Sequence, residues 1–423
     1  MDMKQATFPD KVVLIGTYAA GEHFSCVFDS GLYQQMAANR VEGYYIEGLS
    51  HILNRRVDVL SALVTVPFPK ARTFFVRGNQ CTTESATVQN AGFLNIPYAS
   101  LFFQTASLCA LAKKWAGENK DKSVLVVVYA MRLPFLAAAQ KIKRMIPSAT
   151  VINIVPDLPE YMHFNQTLLR RLLSKANQSV LCKKQTCVDG FVLYAEKMKD
   201  ALQIGDKPWI VTEGIFNAKP IAATKRDLEP TDQKQAGRTI VYTGGMEQEY
   251  GLDLLIEGFL LADIPSAELH LYGSGSYAKK VIEVQKQAPS VKYMGLVDSA
   301  EAYSAMCCAD LLVNPRPSTA DFTKYSCPSK VLEYLSTGVP VLMTRLGGIP
   351  SAYYSYAYTI EEETAEGLAR SLQYVFSQSE AARMELGKRA RAFILDKKNA
   401  STQVSRLLEL AERIAAKKKA RSN

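Results

Sequence analysis

Two series of apolar, strand-like runs, each alternating with helical patterns and separated by one polar segment, restrict the folds open to this chain more than any other feature. The first series is "KVVLIG", "VDVLSALV", "SVLVVVYAM", "ATVINIVPD" and "GFVLYA", with helical stretches such as "PFLAAAQKIKRMI" between them. The second is "RTIVYTGG", "AELHLYGSG", "VKYMGLV", "DLLVNPRP" and "VPVLMT", alternating with "GLDLLIEGFLLA" and "SYAKKVIEVQKQ". Apolar runs without alternation suit strands buried on both faces. A repeated β-α-β order then predicts parallel sheets wrapped by helices. The polar, proline-bearing "AKPIAATKRDLEPTDQKQA" has no periodicity and reads as an interdomain linker.

The expected organisation is α/β. A doubly wound, Rossmann-like domain covers 1–217, a linker 218–237, a second such domain 238–395, and a helix with a basic tail 396–423, for which the first domain is a candidate packing surface. The last residues, "AAKKKARSN", read as a frayed basic terminus. Two such domains facing across a cleft would take ligands in the loops beyond the carboxyl ends of their strands.

Composition narrows the classes. Of 423 residues 48% are hydrophobic and 22% charged, which excludes disorder and fibrous repeats. No run approaches the ~20 uncharged residues that span a bilayer, and "MDMKQATFPDK" lacks a signal-peptide core, so a cytoplasmic location is expected. The eight cysteines (Cys26, Cys81, Cys109, Cys182, Cys187, Cys307, Cys308 and Cys327) form no C-x-x-C and read as buried free thiols. His23, His51, His163 and His270 show no metal-ligand spacing, so no metal site is expected. A net charge of +9 favours acidic partners. Within 161–184, Arg170, Arg171, Lys175, Lys183 and Lys184 flank a helical face of Leu168, Leu169, Leu172, Leu173, Ala176 and Val180. That pattern fits either an amphipathic helix on an anionic membrane or a helix covering its own domain. Nothing resembles a nucleic-acid-binding box.

The loops carry the chemistry. Gly244 and Gly245 close a strand ahead of a helix, where backbone N–H groups can approach a diphosphate, and Gly273 opens the next such loop. Neither Gly-x-Gly matches a Walker or dinucleotide fingerprint, and no Asp-x-Asp pair is present to hold a metal on a diphosphate. Phosphate binding would rest on N–H groups and on the cations Arg316, Lys324 and Lys330. In "SCPSKVLEYLSTGVPVL", Glu333 lies on a short helix opening at Pro328 and stopped near Gly338. Its plain alternative to a functional role is pairing with Lys330, worth about 0.2–0.5 kcal/mol.

Taken in order, "VYTGGMEQEYGLDLLIEGF", "LHLYGSGSYAKKV", "VKYMGLVDSAEAYSAMCCADLLVNPRP" and "PSKVLEYLSTGVPVLMTRLGGIP" resemble the retaining glycosyltransferases of GT-B fold. The group is the family-4-like one that includes bacterial capsule and exopolysaccharide enzymes. The first half matches more loosely, through "LIGTYAAGEHF", "VDVLSALVTVPFPKAR" and "IVPDLPEYM".

The resemblance implies that Glu333 accepts hydrogen bonds from a donor ribose, that Ser329 and Lys330 cradle the diphosphate, and that backbone around Leu296 and Val297 holds the base. The family's second carboxylate is replaced by Tyr325, with Asp321 a candidate substitute. Its usual Arg and Lys in the first loop are replaced by Gly245 and Tyr250, so Arg316 or Lys330 would carry the diphosphate charge. Lys330, Arg316 and Asp321 are thus the catalytic candidates. Acceptor contacts are expected at Gly16, His23, Tyr129, Arg132 and Asp157, with His23 or Asp157 an optional base.

The implied activity is metal-independent transfer, with retention, of a hexose from a nucleotide-diphosphate sugar, UDP favoured, to a lipid-linked saccharide at the inner membrane face. No cofactor beyond that co-substrate is implied. The missing family residues leave open a catalytically silent subunit that binds a partner protein or the membrane.

Overall fold

The computed structural model describes residues 8–33, 35–97, 99–158, 180–181, 183–216 and 238–422. The proposed linker 218–237 and most of the basic segment 161–184 lie outside these residues. The chain divides into two compact units, one of 1–215 with 400–423 and one of 216–399.

The first unit is built on an eight-stranded sheet. Its strands are β1 (Lys11–Gly16), β2 (Val57–Ser61), β4 (Asn79–Thr82), β5 (Ala86–Asn90), β7 (Val124–Tyr129), β8 (Thr150–Val155), β9 (Gly190–Leu193) and β10 (Trp209–Val211), in the order β10-β9-β8-β7-β1-β2-β5-β4. All neighbours are parallel except the edge pair β4–β5. A separate antiparallel pair joins β3 (Phe75–Val76) to β6 (Phe93–Leu94). Every residue of β7, β8 and β9 is buried, the polar Thr150 and Asn153 of β8 included, as expected of strands covered on both faces. Helices α1 (Gly21–Asp29), α2 (Met36–Leu53), α3 (Ser100–Glu118) and α4 (Leu133–Met145) cover this sheet.

The second unit carries β11 (Arg238–Thr243), β12 (Ala267–Tyr272), β13 (Val291–Gly295), β14 (Leu311–Asn314), β15 (Val341–Thr344) and β16 (Tyr358–Ile360). They form a parallel sheet in the order β13-β12-β11-β14-β15-β16. Its helices are α5 (Leu252–Ala262), α6 (Ala278–Gln287), α7 (Ser299–Cys308), α8 (Ser329–Thr337), α9 (Ala365–Ser377) and α10 (Glu380–Lys397). One apolar layer packs α5, α6 and α9 on the sheet through Leu255, Phe259, Val281 and Leu372. The other packs α8 and α10 through Leu332, Leu335, Ala390 and Ile394. Each unit is thus a helix-wrapped parallel sheet, as the alternating pattern predicts.

Helix α11 (Ala400–Ser422) belongs to the first unit and contacts α2, β8, β9 and β10. The tail read as frayed is helical to Ser422, because the Lys418 ammonium reaches the Ala149 carbonyl (3.0 Å) and the Asp189 carboxylate. The described cysteines are all free, but only Cys187 and Cys327 are buried, while Cys26 and Cys308 are exposed. Apolar sequence neighbours do not fix which face of an amphipathic helix a thiol takes, and both exposed ones lie on helices.

Candidate functional site

The second sheet reverses its building direction between β11 and β14. From β11 the chain adds β12 and then β13 outward on one side, and then returns to β14 and adds β15 and β16 on the other. In an open α/β sheet the crevice beyond the carboxyl ends at such a reversal is where ligands bind. The loops leaving β11 and β14 carry Gly244, Gly245 and Arg316.

The backbone of this edge is laced tightly. The Gly244 N–H donates to the Tyr272 carbonyl (3.0 Å), Met246 N–H to Ser274 (2.9 Å), and Gly273 N–H to Gly295 (2.7 Å). Gly273 has φ +138°, and a Cβ there would lie 1.8 Å from the Gly244 carbonyl oxygen, so only glycine lets these two loops meet. The Gly244 amide, expected to face a diphosphate, is therefore committed to the sheet edge. Gly245 is exposed, and among the described residues its N–H has no backbone acceptor.

Arg316 brings its charge to the same loop by stacking its guanidinium 4.5 Å over the Tyr250 ring. Tyr250 occupies the position where the resemblance led us to expect a lysine. The cation thus arrives from the β14 loop and rests on the aromatic face that replaces that lysine.

Helix α8 starts one residue later than the sequence suggests, with Pro328 as its N-cap and Gly338 (φ +85°) as its left-handed C-cap. Val331, Leu332, Tyr334 and Leu335 are buried, while Ser329 is exposed. Lys330 and Glu333 share the outer face, with Nζ and Oε2 2.8 Å apart and side chains 37% and 21% exposed. The structure therefore contains the plain i,i+3 ion pair, on a helix whose first turn opens at the carboxyl edge. Asp321 begins a 3-10 turn, Asp321–Lys324, and Tyr325 is half-buried after it. Leu296 is 75% exposed beyond β13, while Val297 packs on the layer containing Leu332.

In the first sheet the reversal lies between β1 and β7, and the acceptor-side candidates collect beyond β1, β7 and β8. Gly16 ends β1, His23 lies on α1, Tyr129 ends β7, Arg132 caps α4 and Asp157 follows β8. They differ in accessibility. Asp157 is exposed, Tyr129 is only 4% exposed, and burial pushes its phenol well above its ordinary pKa. Tyr129 is placed beneath a surface, where a ligand does not reach it directly. His23 is half-buried, which lowers its pKa, and its buried Nε2 has no hydrogen-bond partner among the described residues. Arg132 lies 5.8 Å over the Phe135 ring, and burial lowers its pKa to about 10.

The sequence reading missed Glu42, which is fully buried under the β1 loop. Its two carboxyl oxygens accept from the Thr17 N–H at 3.0 and 3.1 Å, and burial raises its pKa to about 8. A Cβ on Gly16 would come within 2.2 Å of Glu42 Oε2, so the glycine at the end of β1 makes room for this carboxyl. The signal was present: Glu42 falls three, four and seven residues before Tyr45, Ile46 and Leu49 on the apolar stripe of α2. The same loop is held by Asn39, which accepts from Ala19 N–H (2.8 Å), and by Asn90, which donates to the Tyr18 carbonyl (2.8 Å).

Residues 237–378 match the family model described as glycosyl transferases group 1. Similar solved structures extend the likeness to nearly the whole chain. The sucrose-phosphate synthase of Thermosynechococcus elongatus is 14% identical, with a TM-score of 0.60 over 96% of this chain and 99% of that one. The chain resembles the GT-B glycosyltransferases. An E. coli trehalose-6-phosphate structure bound with UDP-2-fluoro glucose is 11% identical, with a TM-score of 0.63 over 95% of this chain and 99% of that one. Anabaena HepE in complex with UDP is 13% identical, with a TM-score of 0.58 over 94% and 99%. No curated protein matches the chain by sequence. At these identities the likeness establishes the GT-B fold with its two Rossmann-like domains, and the group 1 match, residues 237–378, falls within the unit whose loops hold Gly245, Arg316, Lys330 and Glu333.

Among the described residues, no group of three His, Cys, Asp or Glu side chains is placed to hold a metal ion.

Proposed function

We propose that the protein is a retaining, metal-independent hexosyltransferase that uses a nucleotide-diphosphate sugar, UDP favoured, and a lipid-linked saccharide acceptor at the inner membrane face, in bacterial surface polysaccharide synthesis. The observation that carries this reading is the convergence of Gly245, the Arg316–Tyr250 stack and the Lys330–Glu333 face at the carboxyl edge of a sheet matching the group 1 model.

In this reading Glu333 exchanges its contact with Lys330 for the ribose hydroxyls, and the released ammonium turns to the diphosphate. Arg316 and the Gly245 N–H add to the stabilisation of the leaving group, which is where charge develops as the glycosidic bond breaks. The acceptor hydroxyl attacks from the face that the diphosphate leaves, and a phosphate oxygen receives its proton. The protein's share is positioning and charge stabilisation rather than acid–base work. Loops beyond β1, β7 and β8 would present the acceptor, with Asp157 exposed to contact it and His23 set deeper.

One observation favours a second reading, a catalytically silent subunit. The Lys330 ammonium and the Glu333 carboxylate pair with each other at 2.8 Å. Calorimetric titration of UDP, GDP, ADP and CMP without added metal, followed by transfer assays with lipid-linked acceptors, separates the two. Binding of one nucleoside diphosphate together with sugar transfer supports the enzyme. Binding without transfer to any acceptor supports the silent subunit, and no binding at all removes the enzyme and moves the silent subunit to the front.

A further inference from the structure

Large aromatic side chains stand exposed on the first unit in one neighbourhood: Phe28 (44%), Phe68 (38%), Phe74 (50%), Phe75 (51%) and Phe102 (69%). They are brought together by a small buried cluster that includes Val27, Tyr33, Leu63, Ala71, Val76 and Phe93, against which Phe24 and Phe103 also pack. Phe24 stacks on Phe28 (5.9 Å), Phe68 meets Phe74 edge-on (5.8 Å), and Phe102 meets Phe103 (5.5 Å). In β3 the strand alternation turns Val76 inward (2% exposed) and Phe75 outward. Helix α1, the 62–78 segment and the start of α3 therefore all cover one core while each presents phenyl rings to the outside.

Topology places this patch. The 62–78 segment leaves the carboxyl end of β2 and enters β4, which runs antiparallel to β5 and begins opposite its last residue, Asn90. Helix α1 follows the carboxyl end of β1, and α3 follows β6 beyond the same end of β5. The patch therefore lies on the carboxyl edge of the first sheet, the edge that carries Gly16, His23 and Asp157.

The charge of its 62–78 segment is one-sided. From 59 to 83 the chain contains Lys70, Arg72 and Arg77, all exposed, and no acid. The next acid, Glu84, sits in the turn at the far end of β4 and β5, about 15 Å away at the rise of a strand. On α1 the acids nearest in sequence to Phe28 are Asp29, which follows it directly, and the exposed Glu22. Exposed phenyl rings interleaved with cations match the two layers of an anionic bilayer surface, apolar acyl boundary below and phosphate above. A protein partner's apolar groove would satisfy the rings but leave Lys70, Arg72 and Arg77 without counter-charge.

We infer that the aromatic and basic face formed by 67–77 with Phe28 and Phe102 docks the first unit on an anionic lipid bilayer, setting the acceptor edge at the membrane. This rests on the lipid-linked acceptor proposed above, and it places docking on a surface other than 161–184.

The test is flotation of the full chain with vesicles of phosphatidylglycerol and phosphatidylcholine, against phosphatidylcholine alone, with UDP titration run in parallel. Three proteins are compared: wild type, Phe74→Ser with Phe75→Ser, and Lys70→Glu with Arg72→Glu. Wild type is expected to partition to anionic vesicles at least tenfold better than to neutral ones. The charge-reversed protein should lose roughly thirtyfold or more, at about fivefold for each cation removed near the surface. Both variants should bind UDP as wild type does. The charge-reversed variant changes exposed side chains only, so it serves as the test if the phenylalanine variant fails to fold.

Wild type that binds UDP but ignores vesicles overturns the inference and leaves the transferase reading intact. Flotation of both variants equal to wild type also overturns it, placing docking elsewhere. A concentration-dependent dimer that the phenylalanine substitutions abolish, without vesicle binding, makes a second copy the occupant and overturns it as well. Wild type that floats as expected but binds no nucleotide supports the surface while removing the transferase reading.

Discussion

The Tyr334 phenol is hydrogen-bonded to both backbone groups of Thr243, accepting from its N–H at 2.8 Å and donating to its carbonyl at 3.0 Å. Tyr334 is 1% exposed and Thr243 3%, so neither pairing is shared with water. One side chain thus closes the last residue of β11 and fixes α8, which carries Lys330 and Glu333, relative to the loop that carries Gly245.

Tyr334→Phe should therefore cost more than an ordinary phenol. It strands a buried N–H and a buried C=O, and the expected loss is on the order of 2 kcal/mol in urea unfolding. Because the substitution also frees α8 to shift against β11, UDP affinity should fall along with stability. Unchanged affinity in a destabilised variant would show that the bridge supports the fold alone.

The Lys330–Glu333 pair makes the opposite prediction. Both side chains are partly exposed, and an i,i+3 pair contributes only about 0.2–0.5 kcal/mol. Glu333→Ala should leave the urea midpoint nearly unchanged but weaken nucleoside diphosphate binding by about 1.5–3 kcal/mol, the worth of a hydrogen bond to a charged group. Equal titration curves for wild type and variant would return Glu333 to the role of a surface ion-pair partner.

Glu42 gives a pH dependence with a definite sign. Burial raises its folded pKa from 4.5 to about 8, so the folded protein holds a proton that the unfolded chain has released. The stability this contributes is fully present below about pH 4.5 and is lost as pH rises through 8. Glu42→Gln keeps an oxygen for the Thr17 N–H but has nothing to ionise. Between pH 6 and 9 the wild type should lose stability relative to the variant, by on the order of a few kcal/mol. Parallel pH profiles in urea titrations would show that Glu42 is ionised throughout.

What was legible in the sequence follows from burial. β7, β8 and β15 are buried on both faces, so their apolar runs stood out. The β4 strand, "NQCT", lies at the sheet edge with every residue at least partly exposed, and nothing in its composition marks a strand. β3 and β6 are two residues each, too short for any period to register. The helix that carries Glu333 was legible because a proline and a glycine frame it. The Arg316–Tyr250 stack was not, because it joins loops 66 residues apart. Glu42 was passed over because the sequence pattern does not show that an acid on an apolar stripe is capped by backbone amides. The tail's role was hidden similarly, since a cluster of lysines looks alike whether it meets water or a distant carboxylate.

That distant carboxylate is Asp189. It accepts from Lys143 Nζ (3.0 Å), from the Val151 N–H (2.8 Å) and from Lys418 near the end of α11, while its own side chain is 18% exposed. The body of α11 is held differently: Val404, Leu407 and Ala411 are fully buried, and the Arg406 guanidinium donates to the Val211 carbonyl (2.7 Å). Two separable effects should result. Leu407→Ala removes core volume and should lower overall stability by roughly 2–5 kcal/mol. Asp189→Ala leaves the Val151 amide without its acceptor and two partly buried ammonium groups, Lys143 and Lys418, with the Ala149 carbonyl but no counter-charge, costing on the order of 2 kcal/mol, below the ~3–5 of a fully buried pair because water reaches the cluster. Its signature should be local, with faster hydrogen exchange in 415–422 and around 149–151 while 404–411 stays protected. Uniform exchange along the whole of α11 in Asp189→Ala would instead make the carboxylate the anchor of the entire helix.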